Sequence, residues 1–260
     1  KGKAVLSKLN LERVGISDDK IFTLEEYRQY VENKRAEQRK EELTKKLKKL
    51  RGRMKKANEP YSRKNAHLHY EFHIGEDSVA LNLAWNRRLR NLRPLKGLPI
   101  TDLNITGTAV ANISPLKGMP LRHLKAERTE IGSLSLLKGM QLKTLYIRKT
   151  NITDYHLLKT FPLKKLSLSG EEVDDDDLIK GLALTHLKLT DVGITRYNFL
   201  KRMPITHLEV TWSPLKSLSA VKNKELKVLN VSGSDIRSFS RVEDHPLRRL
   251  DLAYTSISSI

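Results

Sequence analysis

Cysteine is absent from the 260 residues, which excludes disulfides, zinc–thiolate centres and thiol nucleophiles. Aromatic residues make up only 6%, as expected where leucine and isoleucine rather than ring packing build the core. Acidic side chains are outnumbered, 30 against 49 basic ones, for a formal net charge of +19. A charge of that size favours encounter with anionic surfaces, polymers or acidic proteins, and carries no information about fold. No apolar run approaches the roughly 20 residues that span a bilayer. No signal-peptide pattern is visible either, and because the chain begins at Lys1 rather than Met we expect sequence upstream of it. Walker, H-E-x-x-H and G-x-S-x-G motifs are also missing, so no catalytic residue and no cofactor is expected in this chain.

What is present is a period. The pattern Leu-x-x-Leu-x-Leu recurs every 21 residues, its first position falling at Ile100, Leu121, Leu142, Leu163, Leu184, Ile205, Leu226 and Leu247. Eight units stand in register with no insertion, and this spacing predicts a leucine-rich repeat solenoid. Each unit contributes a short strand with alternate residues inward, and the next strand stacks in parallel about 4.8 Å away. One unit cannot bury its own apolar side; the stack can. About seven residues, such as 114–120, return the chain to the next strand. That is too short for a full α-helix, so 3₁₀ or irregular convex turns are expected. The fold class is thus an α/β repeat with a parallel concave sheet.

Four further columns keep the same register. Glycine stands at Gly97, Gly118, Gly139 and Gly181, where a tight reversal needs positive φ. Proline precedes the strand at Pro99, Pro120, Pro162, Pro204 and Pro246, where its missing N–H does no harm. Hydroxyls at Thr108, Thr129, Thr150, Ser213, Ser234 and Thr255 are expected to satisfy turn backbone groups. Val110, Ile131, Ile152, Val173, Ile194, Ile236 and Ile257 add a further apolar column. The acidic run Asp174–Asp177 interrupts the pattern, with Asp176 in a core position; we expect a solvated bulge with Leu178 and Ile179 taking over. Because Ile260 falls within a unit, either more chain or a partner is expected to cover that end.

The division expected is a helical, basic segment over 1–65, a cap and degenerate first repeat over 66–99, and the array over 100–260. Val79, Leu81 and Leu83 should form the degenerate strand, with Tyr70–Ile74 pairing at its edge as a cap. Thr23-Leu24-Glu25-Glu26 reads as a capping box, with Phe22 and Tyr27 as a hydrophobic staple. The helix should run over about 24–56, with Leu43, Leu47, Leu50 and Met54 forming an apolar stripe. Its end carries Lys45, Lys46, Lys48, Lys49, Arg51, Arg53, Lys55 and Lys56. That cluster could lie against an anionic membrane, bind nucleic acid or an acidic partner, or form a solvated linker.

The wording of the repeats is also informative. ISPLKGMPLRHL (113–124), SLLKGMQLKTL (135–145) and RPLKGLPITDLNITGT (93–108) resemble the "LSPLKGMPL" leucine-rich repeats of large bacterial proteins. These include planctomycete-type serine/threonine protein kinases with a C-terminal repeat region. The likeness covers about 40–260. It implies a non-catalytic sensor or scaffold portion of a larger protein, extracytoplasmic or membrane-associated, because no kinase motif lies within the chain.

The candidate ligand-binding residues follow from the repeat register. Arg122, His123, Lys125, Arg128, Tyr146, Arg148, Lys165, Lys188, Trp212 and Tyr254 are assigned to the concave face, with Lys143 and Arg249 beside them. Cationic and aromatic side chains there suit an acidic protein or an anionic glycan. His186 and His207 share one column in adjacent units and are weak metal candidates with Glu209 as a third ligand; otherwise they are surface histidines. The expected function is non-catalytic protein binding. The alternative is an electrostatic nucleic-acid or polyanion binder, which salt would distinguish.

Overall fold

The computed structural model describes residues 13–17, 20–59, 67–170, 173–222 and 224–257. The chain divides into two compact units, Lys1–Lys49 and Leu50–Ile260, with the boundary inside a helix. In the first unit, β1 (Arg13–Ser17) and β2 (Lys20–Thr23) pair antiparallel. The long helix α1 (Leu24–Asn58) follows directly. Its start is the expected capping box: the Thr23 amide donates to Glu26 Oε2 at 2.7 Å, and the Glu26 amide to Thr23 Oγ1 at 3.3 Å. The staple differs from expectation. Phe22 stacks on Tyr30, with ring centroids 5.2 Å apart, one turn beyond Tyr27 on the same helix face. No helix among the described residues is long and apolar enough to cross a membrane.

The second unit is built on one sheet of ten strands, stacked in chain order. They are β3 (Glu71–Ile74), β4 (Val79–Asn82), β5 (Asp102–Asn104), β6 (His123–Lys125), β7 (Thr144–Tyr146), β8 (Lys165–Gly170), β9 (His186–Val192), β10 (His207–Thr211), β11 (Val228–Asn230) and β12 (Arg249–Asp251). From β4 onward every pairing is parallel, whereas β3 runs antiparallel on β4 as the cap. The register is fixed by the leucines: Leu103, Leu124, Leu145, Leu166, Leu187, Leu208 and Leu229 pair in sequence across the sheet. All seven are buried, as are Ile105, Ile147, Leu168, Leu189, Val210 and Val231 two residues on. Each such side chain contributes about 2 kcal/mol by leaving water, and a one-residue slip would expose the whole column.

The return segments are short 3₁₀ turns, among them Arg93–Leu95, Ser114–Leu116 and Ser135–Leu137. Each of these three ends in the same reversal. The N–H groups of Leu98, Met119 and Met140 donate to the carbonyls of Leu95, Leu116 and Leu137, all at 3.0 Å. Gly97, Gly118 and Gly139 occupy the third position at φ 77°, 77° and 84°. This is a type II turn, which demands positive φ there. The hydroxyl column closes the strand's far end: Thr108, Thr129, Thr150, Ser234 and Thr255 each donate to the carbonyl three residues back. At the acidic run, Ile179 is buried while the aspartates stay at the surface, and Lys180 pairs with Asp177 at 2.9 Å.

The last turns of α1 belong to the second unit, where Leu50 and Met54 are buried. Asn58, only 3% exposed, makes the join. Its Oδ1 accepts from the amides of Arg90 and Asn91 at 2.9 and 2.8 Å, and its Nδ2 donates to the carbonyls of Met54 and Asn91.

Candidate recognition surface

Strand alternation decides what faces solvent. With Leu124 inward, His123 and Lys125 point out; with Leu145 inward, Tyr146 does, and Thr144 on the same side is buried with its hydroxyl 2.8 Å from His123 Nδ1. Neighbouring positions bring Arg148, Lys165, Lys188, His186 and His207 onto the same open face as Tyr146. A shallow hollow of about 250 Å³ collects Glu127, Tyr146, Arg148, Ser167, His186, Lys188, His207 and Glu209. A second hollow, toward the capped edge, is lined by Glu71, Asn82, Asp102, Asn104, His123 and Lys125 among others.

The face is less cationic than its basic residues suggest. Arg148 Nε donates to Glu127 Oε1 at 2.5 Å, and Ser167 Oγ donates to the same oxygen at 3.1 Å. Lys188 is paired with Glu209. Both partners are one repeat away, so the register that aligns the leucines also aligns these charges. The Lys125 ammonium lies 5.8 Å from the centroid of the Tyr146 ring. Burial, then Glu127 and Glu209, hold the Tyr146 phenol above its ordinary range.

His186 and His207 stack face to face, centroids 3.9 Å apart and planes 9° from parallel. Their Nδ1 atoms lie 2.9 Å from the hydroxyls of Thr185 and Thr206 respectively. Ring nitrogens present lone pairs in the ring plane, so stacked parallel rings do not converge on one ion. Among the described residues no group of three or more His, Asp or Glu side chains is placed to hold a metal. Burial, His207 and Lys165 pull the His186 pKa down to about 4, and burial with Lys165 and Lys227 lowers His207 as well. Both shifts favour the neutral imidazole.

Besides Arg148, four of the assigned residues lie outside the strands themselves. Arg122 precedes β6, between the buried Leu121 and the first strand residue His123, and is exposed. Arg128, Trp212 and Tyr254 sit just past the strand ends, in left-handed backbone at φ 54°, 53° and 57°. The column continues through Trp85, Gly107, Lys149, Gly170, Asp191 and Gly233, all at positive φ. Its N–H groups still join the ladder: Trp212 donates to the Ser232 carbonyl and Gly233 to the Ala253 carbonyl, both at 2.9 Å. Sequence reasoning misses this column because most of its members are not glycine.

This rim carries the exposed aromatics. Trp85, Trp212 and Tyr254 are 61%, 56% and 80% exposed. Trp212 and Tyr254 lie two repeats apart, yet their rings approach to 5.4 Å between centroids because Gly233 stands between them. A large side chain held at positive φ costs roughly 1–2 kcal/mol. Strain of this kind concentrates at functional sites. Trp85 covers Gly107 in the same way at the other end of the array. On α1, the basic residues Lys45, Lys46, Lys48, Lys49, Arg51, Arg53, Lys55 and Lys56 are all exposed.

No protein-family model matches the chain, and no curated protein sequence matches it. Solved structures do. A crystal structure of an internalin from Listeria monocytogenes aligns with a TM-score of 0.52 at 22% identity, over 64% of this chain and 52% of that one. The chain thus spans about half the length of that internalin. With the parallel sheet, the 21-residue register and the 3₁₀ returns, the likeness establishes the fold: a leucine-rich repeat solenoid.

Proposed function

We propose that this chain is a non-catalytic recognition module of a larger bacterial protein. It binds a protein partner across the central hollow and the aromatic rim beside it. The observation that carries this reading is the Trp212–Tyr254 pair, two exposed rings in contact on left-handed backbone. Exposed Trp and Tyr beside polar groups are the usual anchors of an interface. Glu209 and Lys188 lie on the same strands as the approach to that rim, and supply polar contacts at its side. The pairing of Arg148 and Lys188 with carboxylates favours a partner of mixed charge over one that is merely acidic. The repeat wording over 93–145 supports placement within a larger signalling or surface protein.

The test uses two matched variants. Trp212→Ala/Tyr254→Ala should abolish capture of the partner, while Trp85→Ala, which removes an equally exposed indole from the same column, should leave it intact. Equal loss in both would reduce the effect to general surface stickiness and sink the proposal.

A further inference from the structure

A second surface lies away from the strand face, on the return turns. Lys96, Lys117, Lys138, Lys159, Lys180, Lys201 and Lys222 recur at the 21-residue interval, one per repeat, and every one is exposed. Three of them share one backbone geometry. Lys96, Lys117 and Lys138 have φ −52°, −56° and −54° with ψ 127°, 127° and 133°. They occupy the second position of the type II turns already described, with glycine next. That corner points its side chain outward, and no atom lies within 4 Å of where a Cβ would stand on Gly97, Gly118 or Gly139. The ground in front of the lysines is therefore open.

A second file flanks the first. Five residues beyond Lys117, Lys138 and Lys159 come Arg122, Lys143 and Lys164, all exposed. The connecting stretches 114–125, 135–146 and 155–165 contain no Asp or Glu. No ion pair involves Lys96, Lys117, Lys138 or Lys159 among the described residues. The ridge weakens toward its Lys180 end, where Asp177 pairs with Lys180 and also acts on Lys159. Lys96, Lys117 and Lys138 are therefore unspent, in contrast to Arg148 and Lys188.

We infer that the ridge Lys96–Lys117–Lys138–Lys159, flanked by Arg122, Lys143 and Lys164, binds a linear anionic polysaccharide carrying one charge per sugar. The repeat delivers one ammonium per strand step, about 4.8 Å on the sheet side, so charge is supplied as a regular row and not as a patch. A single-stranded nucleic acid would need rings to stack its bases; the turn segments RPLKGL, SPLKGM and SLLKGM contain none, and around Lys159 the Tyr155 and Phe161 rings are buried, leaving His156 as the exposed ring of that turn. The lysine head is a point charge on a flexible stem, suited to a polymer with rotational freedom, and lacks the fixed fork of arginine. This surface shares no residue with the Trp212–Tyr254 rim, so either proposal can fail alone.

The experiment measures binding of alginate, a polyuronate, to the full chain at 0.15 M salt by calorimetry. Dextran, poly(dT) and phosphatidylserine vesicles are run beside it. Each exposed ion pair is worth about a factor of two, so Lys117→Gln/Lys138→Gln/Lys159→Gln should weaken alginate about tenfold. Lys45→Gln/Lys46→Gln/Lys48→Gln on α1 should change it less than twofold. Lys117→Arg/Lys138→Arg/Lys159→Arg keeps the charge and should retain binding. Circular dichroism confirms that each variant is folded. Equal weakening by the ridge and helix variants would overturn the inference in favour of diffuse charge. So would absence of alginate binding, or tighter ridge-dependent binding of poly(dT) or vesicles.

Discussion

The Trp212 indole lies flat over Gly233, so close that a Cβ on the glycine would come 2.5 Å from the ring's Cδ2. Its φ of 68° favours glycine there, as it would at any position of the column, and the ring above it requires one. Gly233→Ala should therefore destabilise the fold by about 1–2 kcal/mol from backbone strain alone. It should also push Trp212 away from Tyr254. A chemical-denaturation curve measures the first effect, and a shifted tryptophan emission in the still-folded variant measures the second. An unchanged spectrum would mean that the rings do not depend on the glycine.

Asn58 is a buried clasp with four hydrogen bonds, two of them received from the amides of Arg90 and Asn91. Asn58→Ala leaves those two amides without that acceptor. The cost is about 2–3 kcal/mol, since an unmet buried donor is penalised more than a made bond is rewarded. Amide exchange at Arg90 and Asn91 should accelerate selectively, and uniform acceleration across the array would argue against a local clasp.

The stacked histidines tie stability to pH. His186 has its pKa lowered from 6.5 to about 4, first by burial, then by His207 and Lys165. The unfolded chain takes up the proton near pH 6.5 while the folded chain resists it until about 4. The contribution of His186 to stability is therefore full above 6.5, falls as the pH drops through that window, and is gone below about 4. His186→Gln should flatten the decline. An NMR titration that finds the His186 ring protonated by pH 6 would refute the shift.

Gly52 stands in α1 with no atom within 4 Å of where a Cβ would stand, and its backbone is helical. Gly52→Ala should raise stability by about 1 kcal/mol, the usual helix-propensity difference. The matching change at Gly118, where φ is 77°, should lower it, and thermal melts of the two variants should move in opposite directions.

How much of this is legible from residues alone depends on whether the signal repeats. Leu103, Leu124 and Leu145 recur at a fixed interval, and so the sheet, its register and the short returns can all be read. The Glu127–Arg148 and Lys188–Glu209 pairs are legible too, since each pair is 21 residues apart, but reading the cations as one set hides their neutralisation. The left-handed column is not legible: Arg128, Lys149, Asp191 and Trp212 are poor predictors of positive φ, and the stack imposes it on them. Asn58 has no periodic partner, so its clasp on Arg90 and Asn91 leaves no trace in the sequence. Proximity in sequence puts Arg122 and Trp212 among the strand residues, although β6 starts after the first and β10 ends before the second.

The antiparallel cap strand β3 gives the array a direction for growth. Because β4 is already covered on that side, an added unit has no parallel strand to dock on at that edge. Between β5 and β11, by contrast, each unit meets the same leucine register on both sides. A duplicated copy of residues 100–120 spliced in after Pro120 would lengthen the sheet by about 4.8 Å and add one more lysine to the ridge, so the reach of the molecule along an extended ligand can be adjusted in whole-repeat steps.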